Sequence, residues 1–176
     1  MKDSSVYEYG INLEDKNSTV FKQLDFIGFD KKVLEFGCST GYVSKIMKER
    51  GCAVTGIEID EEAAKKAEGY CERVIVGDIE TIDYNKQLSN EKFDVALFGD
   101  ILEHLKNPKT ILLKVKDFLK EKGYIVMSIP NVAHWSTRLD LMCGKFDYQE
   151  LGILDDTHLR FFTKSSITSI ECPIYK

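Results

Sequence analysis

No apolar run in this sequence approaches the ~20 residues that a helix needs to cross a bilayer, so a membrane-spanning helix is not expected. The opening residues, Met1-Lys2-Asp3-Ser4-Ser5, lack the apolar core of a signal peptide. An excess of basic charge is missing too. With 24 Lys and Arg against 29 Asp and Glu, the net charge is -5, which argues against a nucleic-acid backbone as the main partner. A phosphate-tracking surface needs clustered Lys and Arg. The cysteines lack any paired spacing. Five of them (Cys38, Cys52, Cys71, Cys143, Cys172) are scattered without a Cys-x-x-Cys motif. Free thiols in a reducing cytoplasm are expected, with no zinc site and no other metal assigned. Internal repeats, low-complexity tracts and linkers are also absent. At 176 residues the chain reads as one domain, residues 1–176, with a single core.

What is present is an alternation of short apolar runs and helical patterns. Residues 1–30 read as a polar arm, with Tyr7 and Tyr9, followed by a short amphipathic helix carrying Val20, Phe21, Leu24 and Ile27. Residues 31–130 carry five strands. The runs 33–36, 53–59, 73–76, 93–98 and 124–129 are nearly continuous in apolar residues, as expected of parallel strands covered on both faces. Helical patterns follow at Val43, Ile46 and Met47, at residues 61–68, and at Ile111, Leu112, Val115, Phe118 and Leu119, the last ended by Gly123. Asn107-Pro108 reads as the start of that helix, Asn capping and Pro in the first turn. Residues 80–92 are polar and ambiguous. Residues 131–176 read as a helix through Trp135, Leu139 and Met142, a lid-like loop region, and a last helix capped by Thr163. The expected fold is a doubly wound α/β sheet, mainly parallel and Rossmann-like, with helices on both faces.

Ligands of such sheets bind at the carboxyl ends of the strands. Those ends carry Glu35 with the loop 37–41, then Glu58, Asp78, Asp100 and Asn131, so four of five bear an acid. One acid in a turn is unremarkable, but four along one sheet edge indicate a shared ligand site. Glu58 stands about twenty residues after the glycine loop, where a carboxylate accepts hydrogen bonds from a ribose diol. The loop discriminates among adenosine cofactors. A dinucleotide site needs Gly-x-Gly-x-x-Gly so that backbone can approach a pyrophosphate. Here the spacing is Glu-x-Gly-x-x-x-Gly, with Ser39 and Tyr42 where glycines would stand. An amino-acid carboxylate and amine suit it better, with Glu35 near the cationic end, which disfavours a nicotinamide dehydrogenase.

Six motifs then resemble a class I S-adenosylmethionine-dependent methyltransferase. They are Val33-Leu34-Glu35-Phe36-Gly37-Cys38-Ser39-Thr40-Gly41, Gly56-Ile57-Glu58-Ile59-Asp60, Gly77-Asp78-Ile79-Glu80, residues 93–105, residues 128–134 and residues 152–163. The last two resemble a bacterial subgroup associated with cell-surface glycan genes. The resemblance implies that Gly37, Cys38, Ser39 and Gly41 hold the methionine part and that Glu58 takes the ribose hydroxyls. It implies that Ile59 packs on adenine, that Asp78 accepts from the adenine amino group beside Ile79, and that Asp100 and Ile101 lie near the methionine end. Ser39 replaces the family's usual glycine. The family also continues into two further strands, whereas this sequence stops at Lys176, so the fifth strand is expected to be an apolar edge. Such an edge invites dimerisation, cover by residues 145–176, or poor solubility.

Methyl transfer is an in-line displacement that needs a base only when the acceptor must lose a proton. His134 and His158 are the catalytic candidates, while His104 reads as a helix residue shaping the cofactor pocket and Glu103 as a buried partner. The expected activity is methyl transfer from S-adenosylmethionine to oxygen on a small molecule or saccharide, with S-adenosylhomocysteine (SAH) as product. The alternative is a cofactor-binding module without activity.

Overall fold

A computed structural model of the chain describes residues 14–170; the expected arm with Tyr7 and Tyr9, and Cys172 near the other end, lie outside the described residues. Five strands form one sheet: β1 (Lys32–Phe36), β2 (Ala53–Glu58), β3 (Arg73–Val76), β4 (Phe93–Gly99) and β5 (Leu119–Ser128). Their order is β3-β2-β1-β4-β5 and every pairing is parallel. Chain order reverses at β1, which therefore lies at the topological switch point where such sheets bind ligands.

Side chains alternate across a strand, so each strand feeds two cores. Leu34 and Phe36 of β1 join Ile57, Ile75, Ala96 and Phe98 on one face. There they meet Tyr84 and Leu88 of α4 (Tyr84–Leu88) and Ile111, Leu112 and Val115 of α5 (Pro108–Lys116). Val33, Val54, Val95 and Leu97 point to the other face. They pack on Leu24 and Ile27 of α1 (Thr19–Ile27), Val43 and Met47 of α2 (Tyr42–Glu49), and Ala67 of α3 (Glu61–Ala67). Phe36 and Phe98 stack at 4.2 Å between ring centroids across the β1–β4 pair, a contact worth about 0.5–1.5 kcal/mol beyond area burial. Among the described residues no helix is long and apolar enough to cross a membrane.

Three elements depart from the sequence expectation. The polar stretch 80–92 contains α4, started by the Asp83 carboxylate accepting from the Lys86 amide. Helix α5 ends at Lys116 rather than running to Gly123. Phe118 and Leu119 continue its apolar spacing, but they are buried at the turn and at the start of β5. The pairing jumps from Phe93 with Leu119 to Val95 with Tyr124, leaving residues 120–123 as a bulge. Gly123 belongs to that bulge, where a Cβ would sit 2.9 Å from the Phe93 carbonyl oxygen. Asn107 precedes α5 without a side-chain cap; instead the Lys106 and Asn107 amides donate to the Glu80 carboxylate at 3.1 and 2.8 Å.

The remaining helices are α6 (Trp135–Met142) and α7 (Lys164–Thr168), the latter begun by a Thr163–Ser166 capping box. Residues after β5 cover part of its surroundings. Phe162 bridges Asn131, and Ile167 and Ile170 pack on the core beside Ile125, Met127 and Ile129. Among the described residues β5 pairs with β4 alone, so it is the edge strand of this sheet.

Candidate functional site

The glycine loop is held from below by β2. The Gly37 and Cys38 amides donate to the Ile57 carbonyl at 2.8 and 3.2 Å, and the Ser39 amide donates to Glu58 Oε2 at 2.8 Å. Glu58 Oε1 accepts from the Ile59 and Asp60 amides at 2.9 and 3.0 Å. One carboxylate thus clasps the loop and the turn into α3. Gly37 and Gly41 take φ of 68° and 81°, and Ser39, at φ 50°, also occupies left-handed space. Glycine suits such φ best, so Ser39 is mildly strained there. A Cβ on Gly41 would meet the Ala67 Cα at 2.9 Å, and one on Gly37 would meet Ile101 Cδ1 at 2.2 Å. The second close approach puts Ile101 directly against the loop, although 64 positions separate them in the chain.

Below the loop, Gly56 leaves room for two thiols: a Cβ there would lie 2.6 Å from Cys38 Sγ and 3.4 Å from Cys71 Sγ. The Cys38 thiol is pushed up chiefly by its contact with Cys71, whose own pKa is drawn down to about 7 by the same hydrogen bond. Glu35 is fully buried and receives the Ser44 hydroxyl. Burial pushes its pKa up to about 8, so near neutral pH the carboxyl is mostly protonated. It therefore lies under the loop rather than on an open charged surface.

Along the same edge Ile59 is 60% exposed, an apolar side chain bare at the end of β2. Asp78 accepts from the Glu80 amide at 2.8 Å and lines a groove of about 220 Å³ with Glu80, Thr81, Asn107 and Ile111. Ile79 packs against the core, and its carbonyl accepts the Tyr84 hydroxyl at 2.6 Å. Asp100 follows β4 at φ 52°, its amide donating to the Ser128 hydroxyl at 3.0 Å. The same hydroxyl accepts from the buried Gln23 at 2.7 Å. Protein packed around the Asp100 carboxyl pushes its pKa up. The loop, Glu58, Asp78 and Asp100 thus share the carboxyl edge of adjoining strands β1, β2, β3 and β4.

The two histidines expected to be catalytic are placed differently. His134 caps α6, its ring contacting Ser136 and Trp135 at the surface. His158 folds onto the 3-10 turn Leu102–His104 that follows Asp100. Its Nε2 lies 3.9 Å from Glu103 Oε1, and its ring stands edge-on to that of His104 at 4.9 Å. The segment is tied there by backbone, with the Leu159 and Arg160 amides donating to the Glu103 carbonyl at 2.9 and 3.0 Å. Glu103 is 1% exposed, and neither carboxylate oxygen has a hydrogen-bond partner. Burial first, then Asp100 and Asp155, pushes its pKa up to about 7. Sequence reasoning missed the roles of Gln23, Ser44 and Ser128. It read Glu103 as a buried partner, and Glu103 is buried, but it missed the carboxylate's lack of hydrogen bonds. The one available signal was that Glu and His stand together directly after an expected strand end.

A glycine loop closing the switch-point strand, an acid on the neighbouring strand and acids on the next two ends define a class I S-adenosylmethionine-dependent methyltransferase fold. Residues 14–170 match the family described as "Methyltransferase domain", and the chain belongs to that family. A curated relative, the ubiquinone biosynthesis O-methyltransferase of Glaesserella parasuis serovar 5 (strain SH0165), is 36% identical over 110 residues, covering 58% of this chain and 47% of that protein. The chain spans about half the length of the curated relatives it matches. Among solved structures, a SAM-dependent methyltransferase from Archaeoglobus fulgidus superposes with a TM-score of 0.66 at 23% identity, over 86% of this chain and 63% of that one. The plantazolicin methyltransferase BpumL, solved in complex with SAH, gives 0.63 at 23% identity, over 86% and 58%.

Proposed function

We propose that this chain binds S-adenosylmethionine at the 37–41 loop and transfers its methyl group to an oxygen of a small-molecule or saccharide acceptor. The observation that carries the reading is the Ser39–Glu58 clasp, which fixes a carboxylate and the glycine loop together at the switch point. In this reading Gly37, Cys38, Ser39 and Gly41 surround the methionine part, and Glu58 turns a carboxylate lone pair toward the ribose. The bare Ile59 packs on adenine, Asp78 and Ile79 flank its amino edge, and Asp100 and Ile101 stand near the methyl group. Glu35 supports the loop from beneath.

The acceptor oxygen forms a bond to the methyl carbon as the C–S bond breaks. The bonding pair passes to sulfur, the neutral thioether SAH leaves, and the acceptor loses its proton. Positioning supplies most of such a rate, because holding the oxygen in line converts a bimolecular encounter into an intramolecular one. His158, set beside Glu103 and His104 just past Asp100, is the group assigned to the acceptor oxygen. His134 is committed to its helix cap and is the weaker candidate. Oxygen as the target agrees with the relatives' name.

Calorimetry with SAH and with NADH tests the cofactor, and transfer of labelled methyl to a panel of hydroxylated acceptors tests the reaction. SAH binding with transfer supports the proposal. SAH binding without transfer to any acceptor favours the inactive-module alternative, and NADH binding in place of SAH overturns both.

A further inference from the structure

Glu103, His104 and His158 offer one ligand atom each, and these atoms all lie within 4.8 Å of one another. Two features set this cluster apart from ordinary packing. The first is Glu103: a carboxylate 1% exposed whose two oxygens accept no hydrogen bond is costly to bury, and a native fold rarely leaves one without a purpose. The second is the way the histidines are pinned. His158 Nδ1 lies 3.2 Å from the Ile153 carbonyl, and His104 Nδ1 lies 3.2 Å from the Thr157 carbonyl. A carbonyl only accepts, so each Nδ1 carries the proton and each Nε2 keeps its lone pair. Metal-bound histidines are held in this way, the ring nitrogen away from the ion donating to a backbone carbonyl that fixes tautomer and orientation.

We propose that Glu103, His104 and His158 form a binding site for one divalent first-row transition ion of the zinc class. Two imidazoles with one carboxylate favour such an ion over magnesium or calcium, which prefer all-oxygen sets. Bonds of about 2.1 Å require the three side chains to draw together by about 1 Å, with water or substrate completing the coordination. The role that follows rests on the methyltransferase reading. Next to Asp100 the ion holds the acceptor hydroxyl and stabilises its alkoxide, the proton leaving to solvent. His158 then acts on the acceptor through the ion rather than by taking the proton itself.

The test uses the 176-residue chain freed of metal with a chelator and titrated with Zn2+ by calorimetry and with Co2+ by visible absorption. Binding of one ion is expected, with Co2+ showing the intense bands of a low-coordinate imidazole site. Glu103→Gln, His104→Ala and His158→Ala should each weaken binding tenfold or more, consistent with the 10–100-fold cost of losing even outer-shell support. Because the Glu103 and His158 side chains are both buried, their variants are read only where unfolding curves match wild type; His104→Ala, at a half-buried position, decides the matter otherwise. Absence of stoichiometric Zn2+ uptake, or uptake unchanged in both histidine variants, overturns the proposal. SAH titrations run in parallel keep the two readings apart: ion binding without SAH binding rejects the methyltransferase reading and leaves the metal site standing.

Discussion

The backbone amide of Ser39 donates to the Glu58 carboxylate at 2.8 Å, joining the glycine loop to the end of β2. The other oxygen of that carboxylate accepts from the Ile59 and Asp60 amides. Three backbone donors therefore lose their partner in Glu58→Ala. An unsatisfied buried donor costs about 1–3 kcal/mol, with water relieving part of the loss at a site edge. We expect Glu58→Ala to lower unfolding free energy by about 2–4 kcal/mol and SAH affinity by tenfold or more. Glu58→Gln, which keeps one accepting oxygen, should fall between. Denaturant unfolding and SAH calorimetry check both effects, and unchanged SAH affinity would show that the cofactor sits elsewhere.

Gly37 and Gly41 share a left-handed φ but face different obstacles. A Cβ at Gly37 runs into Ile101 Cδ1, the far end of a side chain, whereas one at Gly41 runs into the Ala67 backbone. Gly41→Ala should therefore be the more damaging, because α3 must shift as a unit. Gly37→Ala should be partly rescued by Ile101→Val, which removes the clashing methyl. A double-mutant cycle on unfolding free energy should show a favourable coupling of about 0.5–2 kcal/mol for residues 37 and 101. Additive effects would mean that the φ strain alone, and not the contact, limits Gly37.

Among the described residues β5 pairs on one side only, while α1 reaches it through the Tyr124 hydroxyl, 2.8 Å from the Phe26 carbonyl. Unpaired strand backbone is a template for a second chain. The 176-residue chain is expected to self-associate as its concentration rises, measured by light scattering coupled to size exclusion. A strict monomer across the accessible range would mean that the residues around Phe162 and α7 shield the edge sufficiently.

Much of this architecture was legible because its signals are local. The run into Phe36, the glycines at 37 and 41 and the helical spacing of Val43 and Met47 lie within fifteen residues, and β1, its loop and α2 form where expected. The acids at the strand ends were legible because a parallel sheet brings every carboxyl end to one edge. Helix α4 was hidden because five mostly polar residues anchor it through only Tyr84 and Leu88. The start of β5 was misread because Phe118 and Leu119 happen to continue the period of α5. The Gln23–Ser128–Asp100 chain and the approach of His158 to Glu103 join residues far apart in sequence, and no periodicity encodes such pairings.

Glu35 makes the pH dependence of stability testable. Its carboxyl is fully buried on the α2 side of β1, hydrogen-bonded by Ser44, and its pKa rises from the ordinary 4.5 to about 8. Burial is the main cause, Ser44 partly opposes it, and Cys71 and Glu58 add to it. A pKa raised on folding means that the native state holds a proton that the unfolded state has released. Between pH 4.5 and pH 8 the native chain thus binds more protons, and stability falls as pH rises. The contribution is complete below about pH 4.5 and gone above about pH 8, and it amounts to at most ~5 kcal/mol. Glu35→Gln mimics the protonated form and keeps an oxygen for the Ser44 hydroxyl. It should match wild type near pH 5 and exceed it by roughly 2–4 kcal/mol near pH 8. Urea unfolding at the two pH values measures the difference. Equal stability of variant and wild type at both would show that Glu35 stays ionised in the folded chain, with its negative charge available to the ammonium end of a cofactor above it.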